Sequence, residues 1–70
     1  MNANDKLSDV PAGGYCWLKT VERHKREIDP KRDALVLVVE HTDGSTVVEY
    51  EVGRRVTLPS LTRCHYDPEG

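Results

Sequence analysis

The sequence predicts a small α+β or mainly β domain: an antiparallel sheet of three to four strands around a central hairpin, with at most one or two short helical turns. Three observations lead there. Residues 34–41 form an apolar, β-branched run, and residues 46–52 alternate apolar with polar. Between them lies Thr42-Asp43-Gly44-Ser45, and Asp-Gly flanked by two such runs is a strong short-range hairpin signal. The chain has 70 residues and no Phe, one Trp and three Tyr. A chain of this size buries only about 60% of its unfolded surface and draws roughly 3–5 kcal/mol from its core. The hairpin therefore uses most of the apolar material available.

The elements follow in chain order. Residues 1–14 are small and polar and end in Pro11 and Gly13-Gly14, which predicts a mobile N-terminal arm. Residues 15–66 form the single domain. Residues 15–22 are rich in aromatic and β-branched types and read as a strand. The charged stretch 22–28 reads as a helical turn or a loop. Asp29-Pro30 stops any helix, since the residue before proline is pushed out of the α region, and residues 29–33 turn the chain into the hairpin. Beyond it, Gly53 marks a bulge or bend. Residues 54–58 read as a fourth strand or a continuation of the third. Pro59 then opens a short helical turn over residues 60–66, and residues 67–70 form a frayed tail.

The net charge of −2 conceals a segregated pattern. Lys19, Arg23, Lys25, Arg26, Lys31 and Arg32 outweigh Glu22, Glu27 and Asp29, for a local excess of +3. Residues 33–53 then carry Asp33, Glu40, Asp43, Glu49 and Glu51 without a single Lys or Arg, and Arg54, Arg55 and Arg63 restore the sign. Basic loops folded over an acidic hairpin satisfy this pattern internally, in exposed pairs worth about 0–1 kcal/mol each. A bipolar surface that orients a charged macromolecular partner satisfies it equally.

Several chemistries fit poorly. Cys16, His24, Cys64 and His65 offer zinc-ligand types, but structural zinc sites take their ligands in close pairs, and adjacent residues such as Cys64 and His65 point to opposite faces of a strand. Neither cysteine precedes a Gly-rich turn that could supply an oxyanion hole. No nucleotide fingerprint or phosphate loop is present. The expectation is a non-enzymatic protein without cofactor or metal, its two thiols reduced. A Cys16–Cys64 disulfide would add up to about 4 kcal/mol. No apolar run nears the roughly 20 residues of a membrane span, and the first eight residues lack the basic start and apolar core of a signal peptide. A cytoplasmic protein with no membrane contact is expected.

What remains is binding. Trp and Arg dominate interface hot spots, so Tyr15 and Trp17 are candidate apolar anchors. Arg23, Lys25, Arg26, Lys31, Arg32, Arg54 and Arg55 are the candidate orienting charges. Trp17 alternatively closes the core against the hairpin. The same basic pairs, with Tyr15, Trp17 and Tyr66 as stacking platforms, would suit a small nucleic-acid-binding domain of SH3-like or oligonucleotide-barrel type. An acidic hairpin that mimics phosphate, as in a nuclease inhibitor or antitoxin, is a third reading.

With its length, its start Met1-Asn2-Ala3-Asn4-Asp5 and the run from Tyr15 to Tyr66, the chain resembles the small phage-encoded transcription regulators that bind host RNA polymerase, of the kind carried by a Xanthomonas-infecting phage. The resemblance implies binding to the large subunits of bacterial RNA polymerase, inhibition of initiation, antitermination, and contact with an elongation factor. The site residues above come from the charge and aromatic argument alone.

Overall fold

A computed structural model describes residues 4–19 and 34–68. Among these, six strands form one antiparallel sheet: β1 (Asp5–Lys6), β2 (Tyr15–Leu18), β3 (Ala34–Thr42), β4 (Ser45–Tyr50), β5 (Arg55–Pro59) and β6 (Arg63–Tyr66), in the order β1-β6-β2-β3-β4-β5. The only helical element among them is a single 3-10 turn, Leu7–Asp9. The class is mainly β, and the count exceeds the expected three to four strands because two short polar segments, β1 and β6, also pair.

The hairpin forms as the sequence indicates, with Thr42 opposite Ser45. Only Gly44 takes a positive φ (+76°) and Asp43 does not. The turn is therefore not the doubly left-handed I′ type that Asp-Gly most often signals. One residue is extra in β3: Val38 faces Val48, yet Glu40 faces Val47. This bulge at Val39 resets the alternation. Val36 and Val38 point into the core, and without the bulge Glu40 would follow them. With it, Glu40 is exposed and His41 comes opposite the buried Thr46. The bulge keeps a carboxylate out of the core, where an unpaired charge is costly.

Strand order and connectivity together require the sheet to curl. Three strands, β2, β3 and β4, separate β6 from β5 in the sheet, yet only residues 60–62 join them. That turn is closed by Thr62 N–H donating to the Pro59 carbonyl (3.0 Å) and is tied to the hairpin by Ser60 N–H donating to the Gly44 carbonyl (3.1 Å). The result is a small antiparallel sheet curled into a partly open barrel. Its core is Leu7, Val10, Cys16, Leu18, Val36, Val38, Val48 and Cys64, with Ala34, Tyr50, Val56, Leu58 and Tyr66 packed around it.

Two expectations are corrected here. Within the expected mobile arm 1–14, residues 5–10 are part of the barrel: β1 pairs with β6, and Leu7 and Val10 are buried to 0% and 1% exposure. Leu7 N–H donates to the Thr62 carbonyl and Ser8 N–H to the Ser60 carbonyl, both at 3.0 Å, while Asp5 accepts from the Tyr66 N–H. The segment plugs one end of the barrel. It does so because burying Leu7 and Val10 removes apolar surface from water in a domain with little core. Second, residues 63–66 are a strand rather than part of a helical turn. Pairing with both β1 and β2 gives their backbone groups partners that a lone turn would not. The segment 54–58 is resolved in favour of a separate strand: Gly53, at φ +86°, sits in a tight turn closed by Tyr50 N–H to the Arg54 carbonyl (2.8 Å).

Candidate partner-binding face at the open end of the barrel

The two ends of the barrel are finished differently. At the plugged end, His41 Nε2 lies 2.6 Å from the Val10 carbonyl, which can only accept, so Nε2 carries the proton. His41 Nδ1 meets the Thr46 hydroxyl at 3.0 Å, and Thr46 meets the Ser60 hydroxyl at 2.9 Å. This chain of four groups ties plug, hairpin and β5–β6 turn together, and every buried side-chain polar atom among the described residues is satisfied.

At the other end β4 stops at Tyr50, opposite Val36, while β3 begins two residues earlier. Ala34 and Leu35 are left with β2 on one side only, Trp17 standing directly opposite Leu35. The shelf so made is the floor of an open groove of about 670 Å³ lined by Trp17, Leu35, Tyr50, Val52, Arg54 and Val56 among others. A second depression of about 360 Å³, which includes Tyr15 and Leu37, shares Leu35, Tyr50 and Glu51 with it. The exposures are high for such residues: Tyr15 59%, Leu35 43%, Val52 87%. Single exposed apolar residues are ordinary, but several side by side mark an interaction surface.

Two cross-strand rows organise the outer face of the sheet. One runs His65–Trp17–Leu35 across β6, β2 and β3. The other runs Tyr15–Leu37–Glu49–Arg55 across β2 to β5. Tyr15 and Trp17, two residues apart, share this face, while Cys16 between them points into the core. Trp17 is half-buried on the side away from the core cluster. It does not belong to the core cluster.

The expected charges divide into two groups. Arg54 rims the groove. Arg55 Nε donates to Glu49 Oε1 at 3.0 Å, so its charge is largely spent within the sheet. With Glu51, the described rim carries two acids and two bases. Arg23, Lys25, Arg26, Lys31 and Arg32 lie outside the described residues. Leu35 and Val52 join the site although sequence reasoning did not single them out. Parity groups Leu35 with Leu37, but it is the register with β2 that places this pair outward.

Cys16 and Cys64 are free thiols buried side by side, joined by a sulfur hydrogen bond. Cys64 donates. That bond lowers the Cys16 pKa from the usual thiol value, against burial and the nearby Asp5 carboxylate. It also pushes the Cys64 pKa well up, together with burial. Cys16 is therefore the sulfur that ionises first. His65, adjacent to Cys64, lies on the opposite face, paired with Trp17.

No helix among the described residues is long and apolar enough to cross a membrane. No protein-family model matches the chain, and neither a curated protein nor a solved structure matches it significantly.

Proposed function

We propose that this chain is a non-enzymatic regulator that docks through the Trp17–Leu35 groove on a host bacterial RNA polymerase, in the cytoplasm, and alters initiation or termination by occupying a surface of that enzyme. The observation that carries the binding role is the exposed apolar shelf at the open end, where Tyr15, Leu35 and Val52 are left to solvent beside Trp17. The polymerase as partner is supported by the resemblance noted from the sequence. Docking of this kind works by favouring those conformations of the large enzyme to which the small domain binds best. An elongation factor would be a second contact.

The balance of two acids and two bases on the rim, among the described residues, favours a protein partner over nucleic acid as the primary ligand. A phosphate backbone is gripped by an excess of Lys and Arg, and here Arg55 is already paired with Glu49. The test is binding of the immobilised full chain to purified bacterial RNA polymerase holoenzyme, with duplex and single-stranded DNA as parallel analytes, followed by promoter-run transcription. Saturable polymerase binding, at least tenfold weaker for Trp17→Ala, together with altered transcription supports the proposal. Binding to DNA alone with a steep salt dependence overturns it in favour of the nucleic-acid reading.

A further inference from the structure

We infer that Cys16 and Cys64 are a built-in oxidation site that closes to a reversible cross-strand disulfide beneath Trp17. In the β2–β6 register Leu18 faces Cys64 and Cys16 faces Tyr66, so the two cysteines are diagonal neighbours, and both lie in the core cluster. Both are free thiols buried to 1% and 0% exposure. Nothing in the groove uses them, and buried cysteines packed side by side are not needed to fill a core that aliphatic residues fill equally well.

The chemistry balances with a peroxide as the oxidant. The Cys16 thiolate attacks the peroxide, taking one oxygen as a sulfenic acid and releasing hydroxide. The Cys64 sulfur then displaces hydroxide from the Cys16 sulfenic acid. Two thiols lose two protons and two electrons, and hydrogen peroxide takes them up to become two waters. Peroxide is small enough to enter through local opening of β6, which has four residues and is bordered on its outer side by the two-residue β1.

The diagonal placement decides what kind of bond results. Diagonal cross-strand neighbours have α-carbons about 7–8 Å apart, just beyond the roughly 4.4–6.8 Å of ordinary disulfides. Closing the bond draws β6 along β2. A bond held under that load is readily reduced, as labile and regulatory disulfides are. Trp17 and His65, paired on the outer face of the same two strands, move with it, so the redox state is felt at the binding face.

The test uses the full reduced chain in native buffer, exposed to hydrogen peroxide, quenched, alkylated in denaturant and read by intact and peptide mass. The expected product is one intramolecular Cys16–Cys64 disulfide with no alkylated thiol, reversed by dithiothreitol. A shift in Trp17 emission should accompany it and be absent in Cys64→Ala. The wild-type mass result stands on its own if that variant fails to fold. Sulfinic acid at either cysteine, intermolecular dimers, two thiols still alkylated, or a disulfide that leaves Trp17 emission unchanged would each overturn the inference. None of these readouts depends on polymerase binding.

Discussion

At one end of the barrel Leu7 and Val10 are driven to 0% and 1% exposure, and a relay from Val10 through His41 and Thr46 to Ser60 spends every polar group nearby. At the other end Leu35 stands 43% exposed and Val52 87%, with no plug among the described residues. The same strands run through both ends. What differs is whether a stretch of this chain has been spent on closure. A domain with so little core seals one end with its own N-terminal residues, leaving only Leu61 exposed in the turn there, and leaves several apolar residues side by side at the other. The contrast separates residues that hold the fold from residues free to hold something else.

The largest effect should come from breaking the plug. Leu7→Ala removes a fully buried side chain, and such changes cost about 2–5 kcal/mol. Against a core supplying roughly 3–5 kcal/mol, urea titration should find that variant largely unfolded at 25 °C. The mirror experiment is Trp17→Ala at the open end. It should weaken polymerase binding by about 2 kcal/mol or more, a loss typical of a hot-spot aromatic. Its unfolding midpoint should fall far less than that of Leu7→Ala. Equal destabilisation by the two would erase the distinction between the ends.

Thr46→Val sharpens the same comparison. It keeps the volume and removes the hydroxyl that joins His41 to Ser60. The buried partners left unsatisfied should cost about 1–2 kcal/mol, seen as a lower thermal midpoint with binding affinity unchanged. The smallest effect belongs to Arg55→Ala. The Arg55–Glu49 pair is 62% and 31% exposed, and exposed pairs contribute about 0–1 kcal/mol. A double-mutant cycle with Glu49→Ala should return a few tenths of a kcal/mol, falling further at high salt.

Legibility from sequence followed the same division. The hairpin was readable because its first strand is a β-branched apolar run, its second alternates, and its turn residues are chemically specific. Tyr15 and Trp17 were readable as a pair because a period of two puts them on one face. The plug was hidden because Leu7 and Val10 sit in an otherwise polar stretch, and a three-residue 3-10 turn is too short to show a period. Their spacing was the only trace. β6 was masked by Arg63 and His65, whose polarity reads as a turn after Pro59. The groove was hidden because residues 34–39 are apolar throughout, so alternation cannot say which side chains face out. Only the register with β2, and the early end of β4, assigns Leu35 to the surface.

The most direct test of the open end as the binding surface uses the single tryptophan. Biosynthetic 5-fluorotryptophan gives one fluorine resonance, at Trp17, to be followed as purified bacterial RNA polymerase is added. The account predicts a resonance that shifts or broadens to saturation near equimolar polymerase and is unmoved by duplex DNA or an unrelated protein of similar size. A resonance that stays sharp and in place at saturating polymerase would contradict it.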